Sequence, residues 1–217
     1  MIDEQGDGRP VVRYYAGRGG SMERYEAPEL QEELAMLRSL VQQQLRNHVV
    51  LELACGAGYW TEVIAETADT VLATDINPEL IDLARERDLP GTVDWEVLDA
   101  LQLPENIGDF TAVFIGFLWS HLKRSEQELL LELLRTRVGK DVLLVLLDDV
   151  ADEDQTVART DAEGNTYQIV TAPDGERFEL PKNYPTDSTL RKRLTPAARE
   201  IKINRLEHYW LLTCRLK

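Results

Sequence analysis

The sequence predicts an α/β protein with a parallel core, and three features of its first half carry that prediction. Val49-Val50-Leu51-Glu52-Leu53 is a short apolar run, as a strand buried on both faces requires. It breaks into Ala54-Cys55-Gly56-Ala57-Gly58, where glycine lets the backbone bend sharply and approach a ligand without a Cβ in the way. A helix follows from Tyr59 to Ala68, and a second apolar strand, Val71-Leu72-Ala73-Thr74, ends in Asp75. Strand, glycine turn, helix, strand and acid make a nucleotide-binding βαβ unit. The helix start presents unpaired N–H groups, and the closing carboxylate can accept hydrogen bonds from both hydroxyls of a ribose. Glu52 and Asp75 stand 23 positions apart, near the roughly 20 such a unit uses.

The remaining elements follow in order. Met1 to Pro10 is polar, and Val11 to Tyr25 carries Tyr14, Tyr15 and Arg18 before Gly19-Gly20, the look of a lid. Leu30, Leu34, Leu37, Leu40, Val41 and Leu45 recur at a helical period across Pro28 to Arg46. Asn77-Pro78 starts a helix that runs through Glu86. Thr92 to Val97 is the third strand and Asp109 to Gly116 the fourth. Ser125 opens a helix to Arg137 with Ser125-Glu126-Gln127-Glu128 as a capping box. The fifth strand, Asp141 to Leu147, runs into Asp148-Asp149. Tyr167–Thr171 and Glu176–Leu180 flank a Pro173-Asp174-Gly175 turn and read as a β-hairpin within an insertion spanning 151–185. A short helix near Asp187 to Leu194 precedes two final strands, Glu200 to Asn204 and Tyr209 to Leu216.

The turn selects among nucleotides. Gly56 and Gly58 have the first spacing of a dinucleotide fingerprint, but Thr61 replaces its third glycine, and no P-loop lysine follows. An acid at Glu52 suits a cation better than a phosphate. Glu52-Leu53-Ala54-Cys55-Gly56-Ala57-Gly58 resembles the E/D-x-G-x-G-x-G first motif of the class I methyltransferases that use S-adenosylmethionine, with Ala54 for the first glycine. The resemblance continues through Asp75-Ile76, Val97-Leu98-Asp99-Ala100, the fourth strand and Phe117-Leu118-Trp119-Ser120-His121, covering Leu45 to Asp149.

That resemblance implies a doubly wound, mostly parallel seven-stranded sheet in the order 3-2-1-4-5-7-6, with helices on both faces and an antiparallel C-terminal hairpin. It implies S-adenosyl-L-methionine as cosubstrate. Its binding residues are then Glu52, Ala54, Cys55, Gly56 and Gly58 around the turn, Asp75 and Ile76 at ribose and adenine, and Asp99 and Ala100 at the adenine edge. Phe117, with Tyr15 and Arg18 of the lid, completes the set. The chain reads as one domain, 1–217, with 1–46 as lid and helix and 151–185 as a substrate-side insertion.

Composition limits the partners. A formal net charge of −15 argues against nucleic acid. The longest aliphatic stretch, Val142 to Leu147, is far short of a membrane span, and no secretory leader is evident. Cys55 and Cys214 form no disulfide or metal pattern, which fits the cytoplasm. The expected activity is methyl transfer to a small-molecule acceptor, at oxygen. A protein or nucleic-acid methyltransferase, or a non-catalytic S-adenosylmethionine-binding module, is the alternative.

Methyl transfer from a sulfonium is an in-line displacement that depends on positioning. His121, in the loop after the fourth strand, is the candidate general base, against a plain hydrogen-bonding role. Asp75 competes with a helix-capping role and Asp99 with a turn role. Glu52 faces either the cosubstrate's amino group or an arginine such as Arg18. Cys55 needs only to be a small turn residue. Asp148-Asp149, with Asp152 and Asp154, reads as a solvated acidic loop or a cationic-substrate site rather than a metal centre.

Overall fold

A computed structural model describes residues 8–17, 23–151 and 157–217. Arg18, Asp152 and Asp154 lie outside the described residues. Five parallel strands follow one another along the chain: β1 (Val49–Leu53), β2 (Thr70–Asp75), β3 (Val93–Val97), β4 (Ala112–Gly116) and β5 (Leu143–Asp149). Next come β6 (Arg159–Thr160), β7 (Thr166–Thr171) and β8 (Arg177–Pro181), then β9 (Ala198–Arg205) and β10 (Tyr209–Leu216). The large sheet has the order β3-β2-β1-β4-β5-β10-β9, with β10 antiparallel to both neighbours, as predicted. Strands β6, β7 and β8 form a separate antiparallel sheet.

The helices are α1 (Pro10–Ala16), α2 (Glu23–Glu26), α3 (Gln31–Leu45), α4 (Tyr59–Ala65), α5 (Pro78–Arg85), α6 (Arg124–Leu133) and α7 (Asp187–Leu194). Alternate residues of each strand feed two cores. Leu51, Leu53, Val113, Ile115, Leu144 and Leu146 pack under α6 and α7. Val50, Val71, Phe114 and Val145 pack under α3 and α4. Period-2 alternation thus serves both faces, which is why the strands read as unbroken apolar runs.

Several boundaries differ from the sequence reading: β4 starts at Ala112 rather than Asp109, α4 ends at Ala65 rather than Ala68, and β9 runs Ala198–Arg205 rather than Glu200–Asn204. Helix α6 starts one residue early, and the capping box uses Lys123, whose N–H donates to Glu126 Oε2 at 2.7 Å, rather than Ser125. A backbone donor satisfied by that glutamate does not depend on the cap residue's own side chain. Strand β5 extends through Asp148 and Asp149, because β10 pairs with both of them.

Candidate active site

The carboxyl ends of β1, β2 and β4 open onto one cavity of about 440 Å³. This is where an open parallel sheet leaves a crevice between diverging loops. Glu52, Ala54, Cys55, Gly56, Asp75, Ile76, Phe117, His121 and Tyr15 all line it. Gly56 has φ +57° and open space where a Cβ would point, so the turn leaves room against its backbone. Gly58, at φ +80°, instead packs against Arg87, Trp95 and Ala84 and does not line the cavity. Asp99 and Ala100 do not line it either. Asp99 accepts hydrogen bonds from Leu101 N–H at 2.9 Å and from Arg9, just before α1, at 2.8 Å.

Asp75 is held from below. Gly56 N–H and Asn77 N–H each donate to a different carboxylate oxygen at 2.9 Å, leaving lone pairs free on both oxygens. Burial raises its pKa, opposed by those N–H groups. The acid thus secures the turn and the start of α5, while Asn77 makes no side-chain cap. Glu52 is 1 % exposed, and its Oε2 has no hydrogen-bond partner. Burial pushes its pKa up to about 8, against the pull of the nearby Thr61 hydroxyl. Trp60 Nε1, on another residue lining the same cavity, is also buried without a hydrogen bond. Buried polar groups left unpaired around one cavity mark a place for a polar occupant. Cys55 is buried and its thiol pKa pushed well up by burial, which makes it inert.

His121 closes the other side. Its Nδ1 lies 2.9 Å from Pro181 O, a carbonyl that only accepts, so the ring proton sits on Nδ1. Nε2 therefore accepts from Tyr15 O–H at 2.9 Å. Burial, then Lys182, lowers the histidine pKa to about 3, so it is uncharged. Tyr14, beside Tyr15, packs edge-on against Phe178 of β8. Helix α1 and the small sheet thus enclose His121 together.

Asp148 and Asp149 are not a solvated loop: Asp148 is fully buried, and both belong to β5. Ser120 N–H and Oγ–H donate to Asp148 at 2.7 and 2.8 Å. Lys182 Nζ donates to Asp149 at 2.7 Å and to Ser120 Oγ at 2.8 Å. Arg24 pairs with Asp149 at 3.1 Å and lies 4.0 Å over the Phe117 ring. Burial favours neutral Asp148, whereas Lys182 and Arg24 outweigh burial at Asp149 and keep it ionised. Lys182 and Arg24 went unnoticed in the sequence because each comes to the site from a segment remote from the glycine turn. Glu33, Glu207 and His208 come close enough to share an ion, but Glu33 already accepts from His208 and the group lies outside this cavity.

Residues 50–139 match the family model of a methyltransferase domain. Among solved structures, DhpI in its complex with SAM and HEP shares 25 % identity, with 98 % of this chain and 99 % of that one covered at a TM-score of 0.78. The N-methyltransferase NodS from Bradyrhizobium japonicum WM9, with S-adenosyl-L-homocysteine, shares the fold at 13 % identity, 94 % and 97 % coverage and a TM-score of 0.66. Among curated relatives, an uncharacterized RNA methyltransferase, NE1857, from Nitrosomonas europaea is 32 % identical over 93 residues, 42 % of this chain and 20 % of that protein. Phosphoethanolamine N-methyltransferase 1 from Caenorhabditis elegans is 34 % identical over 83 residues, 38 % of this chain and 18 % of that protein. The match thus spans about a fifth of the length of those curated relatives. Residues 50–139 thus carry a methyltransferase domain, and the chain as a whole is similar to DhpI and has the fold of the class I S-adenosylmethionine-dependent methyltransferases.

Proposed function

We propose that the chain moves a methyl group from S-adenosylmethionine to an oxygen of a small-molecule acceptor, as one domain with 1–46 as lid and helix and 151–185 as the acceptor-side cover. The observation that carries this reading is the cavity that joins Asp75, Gly56 and the unpaired Glu52 on one side to Tyr15 and His121 on the other. Asp75 would hold the ribose hydroxyls, Ile76 the adenine face and Glu52 the amino group. Bound there, S-adenosylmethionine supplies an electrophilic sulfonium methyl.

Several features favour a small acceptor. The lid and the β6–β8 sheet wall in the His121 side, and a net charge of −15 disfavours nucleic acid. His121 acts on the acceptor only through Tyr15, since Tyr15 occupies Nε2. As the acceptor oxygen gains its methyl group it becomes strongly acidic, so its proton passes to Tyr15 Oη while the Tyr15 proton moves to His121 Nε2. A weak base suffices for so late a transfer. Cytoplasmic placement rests on the two unpaired cysteines, both buried.

Calorimetric titration with S-adenosylmethionine and S-adenosylhomocysteine tests the cosubstrate half. Binding lost in Asp75→Ala, with no response to NAD, is the expected result, and absence of binding to the unaltered protein overturns the reading. A panel of small hydroxyl and amine acceptors, read by mass spectrometry for added CH₂, then separates an oxygen methyltransferase from an amine one. Binding without turnover on any of them would leave the non-catalytic module.

A further inference from the structure

A groove of about 780 Å³ lies between α6 and α7 and shares no lining residue with the cosubstrate cavity. Arg124, Arg135, Lys140, Lys192, Arg193 and Lys217 line it, with only Glu128 and Glu132 in opposition. On a chain of net charge −15 this is a concentrated reversal of sign. Its upper end is electrostatically incomplete. Arg124 and Arg193 stand side by side, half-buried. Among the described residues, no carboxylate forms an ion pair with Arg124, and Arg193 reaches only Glu128, at 3.8 Å. Burial and the neighbouring Arg124 lower the Arg193 pKa, which records the cost of holding the two guanidinium groups together.

The placement is built by the fold. Gly164 has φ +79°, and a Cβ there would lie 2.7 Å from Arg124 Nη1, so the guanidinium rests where only glycine leaves room. Asn165 Oδ1 accepts from Arg124 N–H at 2.8 Å, which ties this loop to the start of α6. At the lower end, Lys217 Nζ donates to Thr195 O at 2.6 Å and Arg135 Nε to Lys217 O at 3.2 Å, which closes the groove. Leu131, Pro196 and Ala197 provide an apolar floor among these cations.

We propose that this groove docks an acidic, amphipathic segment of a partner protein, its carboxylates against Arg124, Arg193 and Lys192 and its aliphatic side chains on the Leu131–Ala197 floor. Charge complementarity selects the occupant. The two glutamates on the α6 side repel a dense polyphosphate, whereas a protein segment with spaced carboxylates and apolar anchors avoids them. Partner binding is separate from catalysis, since the groove contains none of the residues assigned to the cosubstrate or acceptor.

Fluorescence anisotropy with a labelled peptide of glutamates carrying leucines at every third and fourth position tests this on the full chain. Binding is expected to weaken with rising salt and by about tenfold or more in Arg124→Glu/Arg193→Glu, with S-adenosylhomocysteine affinity unchanged. Lys192→Glu, at an exposed position, gives a smaller loss in the same direction and carries the test if the double variant does not fold. No peptide binding at low salt, or binding indifferent to the charge reversals, overturns the proposal. So does displacement of the peptide by pyrophosphate or single-stranded RNA, which would make the groove a polyphosphate site. Self-association of the unaltered chain that Lys192→Glu abolishes would assign the groove to a second copy and overturn it equally.

Discussion

Ala54 takes φ +60°, a left-handed conformation that an L side chain disfavours by roughly 1–2 kcal/mol. The departure from the family motif is therefore a strained residue in the turn that lines the cavity. Ala54→Gly removes the Cβ clash and adds back unfolded-chain entropy of about 0.4–1 kcal/mol. A net gain of up to about 1 kcal/mol in urea unfolding, without loss of S-adenosylhomocysteine binding, is expected. Glu52 gives a sharper prediction. Its pKa of about 8 exceeds the ordinary 4.5, so the native state binds the extra proton between those values. Stability from this group is full below about pH 4.5 and is lost as pH rises through 8. Glu52→Gln should raise the melting temperature of the ligand-free protein above pH 8. On the proposed placement of the cosubstrate's ammonium beside Glu52, the ionised form is favoured, so binding at pH 7 should release close to one proton. Titration in buffers of different ionisation enthalpy measures that release, and Glu52→Gln should abolish it.

At the scale of elements, the N-terminal helices and the small sheet meet over one polar cluster. Lys182 joins the end of β8 to β5 through Asp149 and Ser120, and Arg24 joins α2 to the same Asp149. Removing one member of a buried ion pair costs about 3–5 kcal/mol, because the charge left behind is neither paired nor solvated. Lys182→Ala should lose about that much in chemical denaturation, whereas Lys123→Ala, on an exposed surface, should lose almost nothing. Tyr15→Phe removes the hydrogen bond that pins α1 to His121, a loss of about 1 kcal/mol. Limited proteolysis should then cut the N-terminal segment faster, while the core sheet stays protected.

For the molecule as a whole, the sheet's carboxyl edge is the place where binding and stability couple. A ligand that binds only the folded state at a hundred times its dissociation constant adds about 2.7 kcal/mol. S-adenosylhomocysteine at that excess should raise the melting temperature by several degrees in the unaltered chain and not in Asp75→Ala. Among the described residues no helix is long and apolar enough to cross a membrane. The positive groove between α6 and α7 lies on a different surface from this edge, so a partner there leaves the cavity accessible.

The parallel strands and the glycine turn with Asp75 were legible in the sequence because they rest on local rules: apolar runs, glycine at a bend, an acid ending a strand; the strand order came from the family resemblance, since no local pattern sets it. The boundaries at Asp148 and Lys123 were not, since β10 extends β5 and a glutamate supplies the cap from three residues away. Tyr15 and Arg24 come from the N-terminal segment, His121 from the loop after β4 and Lys182 from the end of β8, and no spacing relates the three stretches. Their meeting depends on where the insertion folds back and where the N-terminal helices lie. The linear chain thus determined the side of the cavity formed by Glu52, Gly56 and Asp75, which are tied to the ends of β1 and β2, whereas Asp99 and Ala100 lie off it. The side holding Tyr15, His121, Lys182 and Arg24 was decided by tertiary packing, because burial and long-range ion pairs set both its geometry and its charge.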